Sequence, residues 1–224
     1  MNTDKRVLNH CTLLDEEGNI YSDKTIVIQN GIIERITDEF IDGEDCSGLI
    51  ISPSFVNCHT HAAMNIFKGI AEDVHIDAWF NEEIWPYESK MLDDDVRVGT
   101  KLAIAEMLNN GVTAFADHYF NPKSIIDATE EMNIKADIAI TLFSQFPGYE
   151  EQLKEAINLI QSSKKENINL RLDPHSPYTC TREALKEMSD WAKKLDCGLH
   201  LHVSETQRQV DDSIKLHGKS PLQI

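Results

Sequence analysis

Residues 50–61 read IISPSFVNCHTH, and this stretch decides how the rest of the sequence is interpreted. Its apolar run predicts a strand, in which side chains point to alternate faces, so His59 and His61 share one face and Thr60 points to the other. Two imidazoles on one face at a strand end form half of a metal site. Two surface histidines near a turn would have the same spacing, so the residues that follow must separate the two interpretations.

The composition indicates a soluble domain with an acidic surface. Of 224 residues, 41% are hydrophobic, and 38 acidic against 21 basic residues give a net charge of −17. This charge repels phosphate backbones and anionic membranes, so nucleic-acid polymers and membrane surfaces are not expected partners. Five scattered cysteines without C-x-x-C spacing, together with an N-terminus that lacks the apolar segment of a signal peptide, predict a reduced, cytoplasmic protein.

The chain changes character near residues 48–52. Residues 1–52 contain short β-type runs, including two apolar runs joined by Asn30-Gly31, the signal of a hairpin. Residues 62–90 are expected to be a long irregular segment, broken by Pro86. From Asp93 onward the pattern alternates between helix and strand, with a last strand at residues 198–203. We therefore predict two domains, a β portion over residues 1–52 and five βα units over residues 53–224.

Alternating units with nearly continuous apolar strands predict an α/β fold with a parallel sheet covered by helices. An open doubly wound sheet and a (β/α)8 TIM barrel both have this pattern. No G-x-G-x-x-G follows a strand, which disfavours the dinucleotide-binding version of the open sheet. The active-site face of a barrel is formed by the carboxyl ends of its strands, and histidines gather there in this chain: His59, His61, His118, His175 and His202. A barrel is therefore predicted, incomplete at five of eight units, as the N-terminal part of a larger protein.

A third imidazole follows from the run Leu199-His200-Leu201-His202, in which the two histidines share a face. His202 is nearer the strand end, level with the pair at 59 and 61, and three imidazoles from two strands would form a catalytic zinc-type site. His200 is expected to be packed and hydrogen-bonded one layer deeper. Glu205 is placed to exchange protons with a metal-activated water, with a helix N-terminal carboxylate as the alternative.

Two further positions bear on the number of metals and ligands. Asp173-Pro174-His175 ends the fourth predicted barrel strand and contains no lysine that could bridge two metals, so a single metal is predicted. His118 ends the second predicted barrel strand near the site. It is expected to pack or to support the ligands rather than to bind the metal.

Five motifs together resemble a known family. F-V-N-x-H-T-H is followed by K-G-I-A-E-D, W-P-Y-E, P-H-S-P-Y-T and H-V-S-E-T. This set is similar to the amidohydrolase superfamily, and within it to the deaminases of S-adenosylhomocysteine, methylthioadenosine and related adenosine derivatives, and to their chlorohydrolase and cytosine-deaminase-like relatives. The resemblance runs from about residue 5 to the last residue, and its β portion corresponds to part of the small sandwich of the family.

The resemblance implies an aminohydrolase that deaminates an adenine nucleoside or a similar aminated heterocycle. It implies one divalent metal, Zn²⁺ or alternatively Fe²⁺, bound by three histidines: His59, His61 and His202. Glu205 would be the proton carrier, and Glu88 of W-P-x-E and His175 of P-H-x-P-Y would contact the substrate. The expected partner is thus a small molecule, and a homo-oligomer is a further expectation.

Three departures from the family pattern qualify these expectations. The strand-six histidine and strand-eight aspartate of the family would lie beyond Ile224, so the chain alone is expected to be inactive or nearly so. Pro53-Ser54 and Asp173 stand where glycine is common. Residues 135–146 contain no arginine, so a substrate with an amino-acid carboxylate is not supported. The alternatives are a chlorohydrolase, a guanine or cytosine deaminase, and a non-catalytic fragment that acts only as an association module.

Overall fold

A single mixed sheet makes up the first of two units in the computed structural model, which describes residues 4–224. This unit ends at Ser54, and the second unit is Phe55–Ile224. The sheet contains five strands: β1 (Lys5–Leu14), β2 (Ile20–Gln29), β3 (Ile32–Thr37), β4 (Glu44–Asp45) and β5 (Ile50–Ile51). The order is β3-β2-β1-β4, and β5 also pairs with β1.

The hairpin predicted at Asn30-Gly31 is confirmed. It joins β2 to β3, which pair antiparallel, and both turn residues have positive φ (53° and 78°). Positive φ at both central residues is the requirement of a type I′ turn, which matches the twist of the flanking strands. Beneath the sheet lies a small apolar core of the first unit, made by four buried side chains: Cys11, Leu13, Ile26 and Cys46.

The second unit is built on a parallel sheet of four strands in chain order: β6 (Phe55–Thr60), β7 (Val112–Tyr119), β8 (Lys135–Leu142) and β9 (Ile168–Pro174). All three neighbouring pairs are parallel. The carboxyl ends of the four strands therefore meet at one edge, which is where ligands bind in parallel α/β sheets.

Residues 62–90 are largely helical, and the expected irregular segment is confined mainly to residues 68–75. A 3₁₀ turn (Ala62–Phe67) is followed by helix α1 (Ile76–Ala78), a π-helical segment (Trp79–Ile84) and helix α2 (Trp85–Glu88). Pro86 does not end the helix. It lies where the π-helical segment passes directly into α2, and the Trp85 N–H before it still donates to the Phe80 carbonyl.

Five longer helices follow: α3 (Asp93–Asn109), α4 (Pro122–Met132), α5 (Tyr149–Ser162), α6 (Arg182–Leu195) and α7 (Gln207–His217). Thr181 is the N-cap of α6, since its hydroxyl accepts a hydrogen bond from the Ala184 N–H at 3.2 Å. Two apolar clusters join helices to strands, one around Ile104, Phe115 and Ile138, and another around Leu142, Leu172 and Met188. In the described part of the chain no helix is long and apolar enough to cross a membrane.

The strand predicted at residues 198–203 does not form. This segment runs beside β9 and donates only two backbone bonds to it, from His200 to the Leu172 carbonyl (3.2 Å) and from His202 to the His175 carbonyl (2.9 Å). In a parallel ladder the return bond to residue 200 would come from residue 174. That residue is Pro174, which has no N–H, so the ladder ends after a single bridge between Leu172 and Leu199. The described unit thus has four parallel strands rather than the five that were predicted.

Candidate metal centre

The end of β6 is fixed by Asp117, a fully buried carboxylate on β7. Its Oδ1 accepts hydrogen bonds from the Thr60 hydroxyl and from the Ala62 N–H, both at 2.7 Å. These two donors flank His61 in sequence, so Asp117 sets the path of the chain on both sides of that imidazole. Burial raises the pKa of the Asp117 carboxyl to about 6, because the charged form loses its hydration in this buried position.

His61 is also fixed in its tautomer. Its Nδ1 lies 3.0 Å from the carbonyl oxygen of His118, and a carbonyl can only accept, so the proton is on Nδ1. The lone pair of the neutral ring is then on Nε2. This arrangement is typical of metal-binding histidines, which donate their other ring N–H to a protein acceptor.

Four imidazoles meet at the carboxyl edge of the sheet: His59, His61, His118 and His202. One nitrogen from each lies within 4.8 Å of the others. His202 Nε2 is 3.3 Å from His61 Nε2 and 3.0 Å from His118 Nε2. Ligand nitrogens at tetrahedral Zn²⁺ are roughly 3.4 Å apart, given bond lengths of about 2.1 Å. The spacing of the donors therefore fits a single divalent cation.

The charge state of the cluster also fits a metal. Burial, reinforced by the neighbouring imidazoles, lowers the pKa of His61 to about 3 and that of His118 to about 2. The pKa of His202 is lowered as well, mainly by burial. These rings are therefore neutral at pH 7, which is the form that binds metal. His202 Nδ1 is buried and has no hydrogen-bond partner among the described residues.

Glu205 lies beside the cluster, with Oε1 4.0 Å from His202 Nε2. Ser204, in the left-handed region with φ 59°, turns the chain between these two residues. Gln209 completes a capping box with Thr206 at the start of α7, and its side-chain oxygen accepts from the Glu205 N–H at 2.9 Å. The N-terminal signal of α7 thus also holds the backbone of Glu205.

The Glu205 carboxylate has a partner that the sequence prediction missed, the Tyr178 hydroxyl, which donates to Oε2. Burial opposes ionisation of Glu205, but the Tyr178 hydrogen bond and the adjacent His202 outweigh it, so the pKa of the carboxyl is lowered. Tyr178 belongs to the P-H-S-P-Y-T motif, and that membership was the available signal. Glu205 is therefore a carboxylate at neutral pH.

The sequence of this unit matches the sequence model of the amidohydrolase family over residues 50–223. The chain belongs to the amidohydrolase family. The predicted resemblance is thereby confirmed, and the α/β fold with its parallel sheet is that of this superfamily.

Named relatives of this amidohydrolase are deaminases. A 5-methylthioadenosine/S-adenosylhomocysteine deaminase of Dictyoglomus turgidum is 32% identical, with 98% of this chain and 53% of the relative aligned. A 5'-deoxyadenosine deaminase of Methanobrevibacter smithii is 33% identical, with 98% and 52% aligned. The chain therefore spans about half the length of the curated relatives that it matches.

Solved structures of similar fold include a zinc-bound adenosine deaminase from Xanthomonas campestris. It superposes with a TM-score of 0.85 at 27% identity, covering 97% of this chain and 53% of that one. An atrazine chlorohydrolase from Arthrobacter aurescens superposes with a TM-score of 0.83, covering 97% and 56%. Its identity of 18% makes this a likeness of fold alone.

His175 and Glu88, the two expected substrate contacts in this amidohydrolase, lie in different surroundings. The His175 ring is 4.9 Å from the His202 ring and 4.6 Å from the Phe143 ring, and its Nδ1 contacts the Thr179 hydroxyl at 3.0 Å. Burial, then the field of His202, lowers the pKa of His175 to about 3. The structure thus brings His175 beside the imidazole cluster.

Glu88 is buried, with 7% of its surface exposed, and its Oε1 accepts a hydrogen bond from the Tyr119 hydroxyl at 2.5 Å. Burial raises the pKa of Glu88, although the Tyr119 bond opposes the rise. The Tyr119 ring lies 6.4 Å from the His61 ring. Tyr119 therefore lies between Glu88 and the imidazole cluster, and no sequence motif indicated this connection.

His118 and His200 both lie at the imidazole cluster. His118 was expected to pack or to support the ligands; it is buried, and its Nε2 is one of the four converging nitrogens. His200 was expected to be packed and hydrogen-bonded one layer deeper; its Nε2 lies 3.1 Å from His59 Nδ1, and the residue is only partly buried. The pairing of Thr60 with Asp117 places β7 next to β6, and this register brings His118 into the pocket.

Proposed function

We propose that the protein is a metal-dependent aminohydrolase that deaminates an adenine nucleoside or a similar aminated heterocycle. The observation that carries this proposal is the convergence of His59, His61 and His202 beside the carboxylate of Glu205. The names of the relatives support the substrate class. Because the chain spans about half of those relatives, the activity is proposed for the protein to which this chain belongs.

The proposed cofactor is one divalent cation, Zn²⁺ or alternatively Fe²⁺, held by the three histidines at positions 59, 61 and 202. Neutral imidazoles suit both metals, and the donor spacing of 3.3 Å between His61 and His202 supports a shared ion. When bound, the cation supplies the Lewis acidity that makes water a nucleophile near neutral pH. The structure provides the outer contact of His61, which keeps Nε2 free of a proton.

Glu205 is proposed to move the protons of the reaction. Its Oε1 faces His202, and the carboxylate is ionised at neutral pH, so it can accept a proton from the attacking water. That proton can pass to the ring nitrogen next to the attacked carbon, and the second proton of the added hydroxyl can then pass to the amino group. The C–N bond breaks, ammonia leaves, and the ring keeps the oxygen as a carbonyl and one proton on its nitrogen. Tyr178 keeps the carboxylate oriented by its hydrogen bond to Oε2.

Aromatic side chains beside the cluster support a flat heterocyclic substrate. Phe143 packs against His175 at 4.6 Å, and its ring is also 5.9 Å from Phe120 and 5.7 Å from Phe146. Such faces stack on heteroaromatic rings. His175 is proposed to line the ring pocket, and Glu88 to contact substrate hydroxyls, as the family resemblance implies.

The finer architecture remains part of this proposal. We expect the four parallel strands to belong to a complete (β/α)8 barrel and the first unit to belong to a small β-sandwich. A cytoplasmic location is proposed on the sequence grounds given above, and a homo-oligomeric state is a further expectation.

The proposal is tested on the full protein to which this chain belongs, by ammonia release from a panel of adenosine, 5'-deoxyadenosine, methylthioadenosine, guanine and cytosine, with chloride release from a chlorotriazine in parallel. Ammonia from an adenine nucleoside, lost with a chelator and restored by Zn²⁺, is the expected result. Chloride release without nucleoside turnover would assign a chlorohydrolase, and ammonia from guanine or cytosine alone would assign those deaminases. A protein that binds metal but turns over no member of the panel would support an association module instead.

A further inference from the structure

We infer that His118 is a fourth imidazole ligand of the proposed metal, positioned by Asp173 and Thr141. The inference rests on the proposed function, since it concerns the same metal. It assigns a ligand beyond the three histidines of the family resemblance.

The position of the protons on His118 supports this assignment. His118 Nδ1 lies 2.7 Å from Asp173 Oδ2, and the same oxygen accepts the Thr141 hydroxyl at 2.6 Å. With Asp173 as a carboxylate, Oδ2 accepts from both neighbours, which places the His118 proton on Nδ1 and the lone pair on Nε2. Nε2 points at the cluster, 3.0 Å from His202 Nε2.

Counting donors shows why a cation is needed between these rings. His61 and His118 both use their Nδ1 proton on an outer acceptor, so both present a bare lone pair to His202 Nε2. His202 can carry one proton there and can donate it to only one of them. In the neutral cluster, at least one of the two contacts of His202 Nε2 therefore brings two nitrogen lone pairs within about hydrogen-bond distance of each other. A shared cation satisfies all three nitrogens at once.

The residues that hold His118 lie on strands and are shielded from solvent. His118 is on β7, Thr141 on β8 and Asp173 on β9, and Thr141 pairs directly with Asp173 in the sheet. Only 1% of the surface of the His118 side chain and none of that of Asp173 is exposed. Side chains held on neighbouring strands keep a ligand in place more firmly than loop residues do.

The first unit offers a matched contrast. His10 Nδ1 and Asp23 Oδ1 are also 2.7 Å apart, but 45% and 77% of their side-chain surfaces are exposed. A histidine–carboxylate contact alone therefore does not indicate a ligand in this chain. What distinguishes His118 is the second nitrogen, which meets other imidazole nitrogens in the cluster.

Cadmium-113 bound to protein labelled with nitrogen-15 at histidine tests the inference without measuring activity. Each coordinated ring nitrogen shows a one-bond coupling to the metal, so the spectrum counts the ligands. Four coupled imidazoles are expected, one of which disappears in His118→Asn. The control His10→Asn should remove a signal that has no coupling.

Three coupled imidazoles, with the His118 signal uncoupled, would overturn the inference and leave the proposed metal site intact. No coupled histidine at all would overturn both. Because the spectrum of the unaltered protein decides between these outcomes, the test does not depend on the folding of a variant.

Asp173→Asn separates positioning from simple packing. Outer-shell partners of metal-binding histidines typically contribute about 10- to 100-fold in metal affinity, so Cd²⁺ and Zn²⁺ should bind weaker by that factor in this variant. Asp23→Asn should bind as the unaltered protein does. An unchanged affinity in Asp173→Asn, with the His118 coupling retained, would assign Asp173 a packing role and overturn its part in the inference.

Discussion

Lowering the pH from 7 to 5 should destabilise the metal-free protein, because its second unit buries neutral imidazoles. Burial is the main reason that the pKa values of His61, His118 and His175 fall to about 3, 2 and 3. Between the ordinary histidine pKa of about 6.5 and these values, the unfolded chain binds protons that the folded chain does not. Acidification through this window therefore favours unfolding.

The magnitude follows from the same linkage. At pH 5 each of these imidazoles lowers the free energy of unfolding by about 2 kcal/mol relative to pH 7. Asp173 and Asp117 act in the opposite sense, since burial raises their pKa values to about 7 and about 6, and the folded chain then binds more protons. Between pH 7 and pH 5 the free energy of unfolding therefore rises by about 2 kcal/mol through Asp173 and by about 1 kcal/mol through Asp117. Together with the three imidazoles, the net change is a decrease in the free energy of unfolding of about 2 to 3 kcal/mol.

Urea unfolding at the two pH values, in the presence of a chelator, measures this difference. All three tryptophans belong to the second unit, so their fluorescence reports on the unit that contains the imidazoles. In His175→Asn, the decrease in the free energy of unfolding between pH 7 and pH 5 should be smaller by about 2 kcal/mol. His10→Asn should not reduce it, because Asp23 raises the pKa of that exposed ring. A stability that stays constant or rises between pH 7 and pH 5 would refute the reasoning.

Three other predictions concern the proposed chemistry. His202→Ala should no longer bind stoichiometric Zn²⁺, as measured by elemental analysis, and retention of the metal would contradict the assignment of His202 as a ligand. Glu205→Gln should lower kcat by about 10²- to 10⁴-fold, whereas Glu187→Gln, which alters a similar tyrosine–glutamate pair on the surface, should leave it unchanged. Tyr178→Phe removes a bond that lowers the pKa of Glu205, so the acid limb of the pH–kcat/KM profile should move to higher pH. Tyr149→Phe is its control, and identical profiles for the two variants would contradict the role of Tyr178.

Periodicity was sufficient to predict the five longer helices and the four parallel strands, because apolar spacing and caps act locally. The Thr181 N-cap is an example, since both partners lie within four residues. The gathering of histidines at one edge was also predictable, because the carboxyl ends of parallel strands meet there.

Register-dependent contacts could not be predicted in this way. The His118–Asp173 contact joins residues 55 positions apart on strands separated by β8. Two motifs that were recognised separately meet in the Tyr178–Glu205 bond. The end of the ladder after Leu172 depends on which residue lies opposite His200, and only the pairing shows that it is Pro174.

The two buried aspartates explain why such a site can exist in the fold. Asp117 holds the chain around His61, and Asp173 holds the ring of His118, and burial raises the pKa of each carboxyl. Each ionised aspartate is thus unfavourable for folding at neutral pH, and its hydrogen bonds hold the groups that present an imidazole. A bound cation offsets this unfavourable burial by mass action. Because the pKa values of His61 and His118 are about 3 and about 2, both rings stay neutral in the folded protein at pH 7 and at pH 5, so Zn²⁺ should stabilise the protein to a similar extent at both pH values. A stabilisation that is lost between pH 7 and pH 5 would mean that protons already compete for these nitrogens in the folded protein, and it would contradict the lowered pKa values.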